Sequence, residues 1–307
     1  MRLLLFFAAF SFSAIAMGQL VSTELIESFT ADEVQDIASS FSLPNDVIPL
    51  NYGVDFYRVE YMTPHPMGMD VLVSGAIAVP QGVSCPRAIA SYQHGTVAAK
   101  ENVPSRLNDE GLLGVLYAST GFVCTMPDYI GLGSSDVFHL YVHAESQATA
   151  SLDLIRLASG ELQEELGYSW AEQLFLYGYS QGGHATMALH QYIETYAADE
   201  FTVTASAPMS GPYDISGTQT DMLIAEVPFS APGYLPYVVL SYQSAYGNLY
   251  DSLSQVFIEP YASEMWNWFD GENSMGFISS QMLSIPTEML VPEFYGYMVH
   301  HQRRQPG

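Results

Sequence analysis

Gly178-Tyr179-Ser180-Gln181-Gly182 fits G-x-S-x-G, a spacing that suits a serine hydroxyl attacking a carbonyl carbon. A serine between a strand and a helix needs strained backbone, and glycines two residues to either side avoid the collisions that this causes. Both flanking elements are written in the sequence: Leu174 to Tyr177 is an apolar strand-like run, and Ala185 to Tyr196 has the composition of a helix. That helix would aim its positive end at the serine, favouring the charge that develops on an attacked carbonyl oxygen. Such an oxyanion needs two backbone N–H donors. Gln181, next after the serine, supplies one. The second is expected where Ser91 to Val97 reads SYQHGTV, with Gly95 or Thr96 offering the N–H.

A serine hydroxyl is a weak nucleophile unless a histidine, oriented by an acid, takes its proton. In folds of this kind the chain order is serine, acid, histidine, which excludes His94 as the base. His184 and His190 fall within the helix after the serine; His184 reads as packed beneath the site, and His190 cannot swing round to it. The remaining candidates are His300 or His301 with Asp251 or Asp270 as the acid. No glycine-flanked histidine loop follows a strand in VHHQRRQPG. His139-x-x-x-His143, with Glu145 nearby, has the spacing of two metal ligands on one helix face. Tyr141 and the apolar neighbours read instead as core or pocket wall, so neither a metal nor a cofactor is expected. Asp128 in PDYIGLG reads as the hydrogen-bonding anchor of its loop.

The elements that must hold these residues can be traced along the chain. Thr23 to Ser42 is a polar lead with one or two short helices, and Phe56 to Thr63 and Val71 to Pro80 form a hairpin pair. RAIASYQHGT and GFVCTMPDYIGLGSS are strands that end in glycine-containing loops, the first followed by a polar stretch. Ala144 to Gly160 has helical spacing, and Phe201 to Gly211 is one more strand. Strands alternating with helices imply a mostly parallel sheet covered on both faces, with the early hairpin as its antiparallel edge. From Pro212 to about Pro292 aromatics, Met and Ser crowd together without period-two runs, which reads as a helical cap. Tyr234, Tyr237, Trp266, Trp268 and Phe269 read either as lipid-facing residues of this cap or as its plain packing. The expected boundaries are 1–18 signal peptide, 19–214 core, 215–292 cap and 293–307 irregular tail.

The first residues, MRLLLFFAAFSFSAIAMGQL, have the layout of an export signal cut after Ala16 or Gly18, and the apolar run is short for a stable membrane anchor. A secreted or periplasmic protein is expected. Of the 307 residues, 33 are Asp or Glu and 8 are Lys or Arg, a balance that argues against nucleic acid or an anionic membrane as partner. Cys85 and Cys124 are the only cysteines; export permits a bridge, and two packed thiols are the default reading.

Taken together, SYQHGT, PDYIGLGSS with the following HLYVHAESQATASLDLIR, GYSQGGHAT and SGPYD resemble the secreted lipase family of α/β-hydrolases, exported triacylglycerol lipases with a large cap. The resemblance runs from about Asn51 onward. It implies an α/β-hydrolase fold, Ser180 as nucleophile, the Gln181 N–H and the His94 to Thr96 loop as oxyanion hole, and a cap that shapes an acyl pocket for an ester or lipid substrate. Members of the family continue beyond the cap with an acid-bearing and a histidine-bearing strand. The sequence is therefore expected to lack the last strands. Two function classes stay open: an ester hydrolase working through a Ser180 acyl-enzyme, and an ester- or lipid-binding chain without the triad acid and histidine.

Overall fold

The computed structural model describes residues 18–43 and 48–302. The leader expected over residues 1–18 falls, apart from Gly18, outside the described residues. Strand β1 (Gln19–Phe29) and helix α1 (Ala31–Ser40) open the fold. β1 corrects the helical reading of the polar lead: every third residue is half-buried rather than every second, so the strand period is hidden in its composition. A capping box starts α1, with the Thr30 side chain accepting from the Glu33 N–H while the Glu33 carboxylate accepts from the Thr30 N–H.

The expected hairpin follows as β2 (Val54–Pro64) and β3 (Asp70–Pro80), paired antiparallel in continuous register from Val54↔Pro80 to Pro64↔Asp70. β4 (Arg87–Gln93) leads into α2 (Asp109–Ser119), a helix capped by Asn108 within the stretch read only as polar. Next come β5 (Val123–Pro127), α3 (Ala144–Ser159), a short α4 (Leu162–Leu166), β6 (Trp170–Tyr179), α5 (Gln181–Tyr196) and β7 (Val203–Met209). The strands form one seven-stranded sheet in the order β1-β2-β3-β5-β4-β6-β7. β1, β2, β3 and β5 run antiparallel to one another, and β5, β4, β6 and β7 run parallel.

Parallel strands need crossover helices, and these cover both faces of the sheet. α3 and α5 pack one face through Leu152, Leu154, Ile155, Leu189 and Ile193 against Val59, Ile77 and Leu176. α1 and α2 pack the other through Val34, Val115 and Leu116 against Phe56, Ala76 and Met126. A separate apolar cluster belongs to the cap, built from α6 (Thr220–Leu223), α7 (Tyr234–Tyr246), α8 (Tyr261–Trp268) and α9 (Met275–Ser280), and centred on Leu240, Phe257 and Met265. The final helix, α10 (Pro292–Gln302), stands where the sequence reads as an irregular tail, and Phe294, Tyr295 and Met298 pack on the cap. Phe294 and Tyr295 precede Gly296 and Met298 follows it, enough to close a helix against an apolar surface although the pattern lacks a clean polar face.

Cys124 is buried and Cys85 exposed, both as free thiols. Among the described residues no helix is long and apolar enough to cross a membrane. Leu154 is fully buried and its Cδ2 sits where a Cβ on Gly75 would stand, so the helix-to-sheet contact is tight. Leu154→Ala is expected to cost about 2–5 kcal/mol, read from the midpoint of urea unfolding.

Candidate functional site

Ser180 caps α5 at φ 58°, ψ −121°, a backbone conformation that costs a non-glycine residue on the order of 1–3 kcal/mol. The corner is held from both sides. The Ser180 N–H donates to the Met209 carbonyl at 3.0 Å, tying it to the end of β7, and the His184 N–H donates to the Ser180 carbonyl at 3.2 Å. The flanking glycines answer a steric demand. A Cβ on Gly178 would stand 2.6 Å from the Gln93 carbonyl oxygen, and one on Gly182 would stand 1.9 Å from that same oxygen. β4 thus ends in backbone-to-backbone contact with the corner.

This contact carries the next residues of β4 to the serine. Gly95 lies beside the corner: its nearest neighbours, at ordinary contact distance from an added Cβ, are Glu110 Oε1 at 3.6 Å and the Tyr179 carbonyl at 3.8 Å. Thr96 Oγ1 is 3.3 Å from the Tyr141 hydroxyl. The Gln181 N–H is the first of the four at the start of α5 that have no acceptor inside the helix. Gln181 thus follows Ser180 directly, Gly95 lies beside Tyr179, and Thr96 is held by Tyr141, a wall residue of the space above the corner.

The loop from Pro127 to Ser135 is anchored by Asp128, which is fully buried. Ser74 Oγ donates to its Oδ2 at 2.5 Å and the Ser105 N–H donates to Oδ1 at 3.0 Å. Burial pushes this carboxyl above the ordinary range, against the pull of the Ser105 and Ser74 donors. His94 stacks on Tyr129 at 4.3 Å, with its ring nitrogens at 2.8 Å from the Gly95 carbonyl and 3.2 Å from the Asp128 carbonyl.

His139 and His143 share no helix face. The chain between them is irregular, and His143 is the N-cap of α3. His139 turns to the elbow, with Nε2 2.9 Å from Gln181 Nε2, whereas His143 turns away to Ser146 Oγ and the Tyr246 hydroxyl, each at 3.0 Å. Among the described residues no group of three or more His, Cys, Asp or Glu could hold a metal ion. His184 lies beneath the corner, its Nδ1 2.8 Å from Gln147 Oε1. Burial lowers His139 to about 3, and His143 and His184 to about 4 each.

Above Ser180 opens a cavity of about 890 Å³, predominantly apolar, between the strand ends and the cap. Tyr141, Leu223, Phe229, Tyr234, Val238 and Met298 are among its walls, with Glu293 of α10 at the edge. Of the cap aromatics singled out from the sequence, Tyr234 lines this space. Tyr237 is instead stacked on Tyr141 at 4.5 Å, and Trp266 packs edge-on against Phe138 at 5.3 Å. Ser210, from the SGPYD stretch, lines the cavity as well, and so do Phe294 and Tyr297, which nothing in their sequence pattern marks. Asp251, Asp270 and His300 are absent from the lining, and the side chain of His301 lies outside the described residues. Asp251 stands on an exposed turn with its N–H donated to Gln255 Oε1, and Asp270 borders a separate cavity of about 240 Å³ behind Phe138. His300 is an exposed residue of α10.

The Secretory lipase family model matches residues 108–263. No curated protein matches the chain in sequence. Among solved structures, a candidate hydrolase from Legionella pneumophila superposes with a TM-score of 0.85 at 28% identity, over 93% of this chain and 76% of that one. The rice cell wall degrading esterase LipA from Xanthomonas oryzae superposes with a TM-score of 0.80 at 29% identity, over 92% of this chain and 75% of its own. Candida antarctica lipase A, at 16% identity and a TM-score of 0.59 over 89% of this chain and 59% of its own, shares the fold.

Two expectations follow from this geometry. Because the atom opposing a Cβ on Gly182 is backbone and cannot rotate aside, Gly182→Ala is expected to destabilise the protein by about 1–3 kcal/mol in chemical denaturation. The second concerns acid. Unfolded imidazoles take up protons near 6.5, whereas the buried ones resist to about 4 or 3, so the unfolded state binds more protons in between. Their contribution is complete above pH 6.5 and declines as pH falls through that window. Asp128 and Asp153, raised by burial, act in the opposite sense. The histidine part is therefore read as a difference: the fall in Tm from pH 7 to pH 4.5 is expected to be smaller in His184→Gln than in wild type.

Proposed function

The chain belongs to the Secretory lipase family, and on that footing we propose that it is an exported serine hydrolase that cleaves carboxylic esters of lipid type through Ser180. The reading rests on one observation above others: a serine in strained backbone at the foot of a large apolar cavity, at the N-terminus of α5. The apolar walls suit an acyl chain, whose burial there gains roughly 25 cal/mol per Å². In the proposed reaction Ser180 Oγ adds to the ester carbonyl carbon, and its proton ends on the alcohol oxygen that departs as the ester C–O bond breaks. The oxyanion accepts hydrogen bonds from the Gln181 N–H and from Gly95 or Thr96. Collapse expels the alcohol and leaves the acyl group on Ser180, and water then releases the acid. The LipA esterase of Xanthomonas oryzae and the family name both support an ester or lipid substrate.

A second reading, an ester- or lipid-binding chain that does not turn over substrate, is favoured by a specific observation. No histidine lines the Ser180 cavity among the described residues, and His300, His301, Asp251 and Asp270 are the partners that the sequence offers for the proton transfer. Fluorophosphonate labelling separates the two. The hydrolase reading expects a single adduct on Ser180 in folded wild type, none in Ser180→Ala, and release of free acid from a medium-chain ester. Folded protein that binds the ester without labelling or turnover establishes the binder.

A further inference from the structure

Gln181 has two parts with separate tasks. Its backbone N–H stands at the start of α5 directly after Ser180, while its side chain is wholly buried against His139. The His139 ring is itself fixed. Its Nδ1 lies 2.7 Å from the Ile130 carbonyl, and a carbonyl can only accept, so Nδ1 carries the proton. Nε2 of the neutral ring then presents a lone pair, and the Gln181 side-chain amide donates to it at 2.9 Å. The amide cannot flip, since Oε1 would then face that lone pair. Oε1 has no partner among the described residues, so the contact to His139 orients this side chain.

His139 is in turn held by the cap. Ser241 Oγ, on α7, donates to the His139 carbonyl at 2.8 Å and accepts from the Tyr141 N–H at 3.0 Å. The ring sits among Tyr129, Tyr141 and Tyr237, with centroid distances of 6.1, 6.4 and 5.7 Å. Tyr237 is also an α7 residue, and its hydroxyl donates to the Val97 carbonyl at 2.9 Å, just past the Gly95–Thr96 loop. A continuous set of contacts therefore runs from the cap through His139 to the residue after Ser180.

We propose that His139 is a positioning residue: as a tautomer-locked acceptor it holds the Gln181 side chain, and thereby aims the Gln181 backbone N–H at the developing oxyanion. The inference rests on the reading of Gln181 as an oxyanion donor. The role needs an acceptor at the position of Nε2, not a charge and not a metal. His139→Gln keeps an acceptor at the end of a side chain of similar reach, whereas His139→Leu removes it. Gln181→Met removes the side-chain donor and keeps the backbone N–H.

The test combines a spectroscopic and a kinetic measurement on the full chain. In nitrogen-15 NMR, wild-type His139 is expected as the Nδ1–H tautomer, and the Gln181 backbone amide resonance is expected to move in His139→Leu and to return toward wild type in His139→Gln. In kinetics, His139→Leu is expected to lower kcat for a medium-chain ester, and the rate of fluorophosphonate labelling, by roughly 10- to 100-fold with KM within about twofold, which is below the loss of an entire oxyanion donor. His139→Gln is expected to recover most of that loss. Gln181→Met is expected to reproduce the loss, and the double variant His139→Leu/Gln181→Met to add nothing further. Additive losses, a change in KM alone, or a glutamine variant as impaired as leucine overturns the proposal. If His139→Leu does not fold, Gln181→Met and His139→Gln carry the same comparison. If wild type shows neither labelling nor turnover, the serine-hydrolase reading fails. The amide resonances then still decide whether His139 orients Gln181: an unmoved Gln181 amide in the variants overturns the role.

Discussion

The corner at Ser180 exists because backbone meets backbone where three parallel strands end. The Gln93 carbonyl at the end of β4 occupies the space that side chains at Gly178 and Gly182 would need, and the Met209 carbonyl at the end of β7 accepts the Ser180 N–H. No side-chain contact could bring the strand ends this close. From this approach follows the position of the Gly95–Thr96 loop, since it is the direct continuation of β4. The start of α5 is fixed in the same way, as is the exposure of the first N–H groups of that helix toward one point.

Around the corner buried polar groups hold one another, which makes them rigid, while Gln181 Oε1 and Gln147 Nε2 have no partner among the described residues. Asp128 joins β3, the turn before α2 and its own loop through Ser74 and Ser105. Ser151 donates to Gln93 Oε1 and thus ties α3 to the last residue of β4. Gln147 and His184 link α3 with α5 beneath the serine. These histidines work as neutral hydrogen-bonding groups, and burial keeps them so. The cavity above them is nearly the opposite, an apolar space closed by the cap, so a polar floor and an apolar roof meet at Ser180.

Much of the core was legible because its signals are local. The hairpin, β4 through β7 and the two long helices α3 and α5 announce themselves by apolar period and by glycine at strand ends, and the elements lie where those patterns stand. β1 and α10 were hidden for physical reasons. β1 is an edge strand with much of its length in water, so polar residues replace the alternation that burial enforces. α10 is an aromatic helix closing on a cap, so its composition resembles that of an irregular segment. The metal-like spacing of His139 and His143 misled in a similar way: four residues apart means one face only if the chain is helical, and here it is not.

For the site, the linear sequence already specified the corner, because strain at Ser180 demands glycine at fixed offsets and a strand and a helix on either side. Those are covalent-neighbour requirements, and a linear reading contains them. Which residues wall the cavity, that His139 faces Gln181 while His143 faces away, and that Asp251 and Asp270 stand elsewhere were decided by tertiary structure alone. Residues 42 positions apart meet only after β4, α3 and the cap have packed, and hydrogen-bond direction between His139 and Gln181 depends on a carbonyl, that of Ile130, which no side-chain pattern encodes.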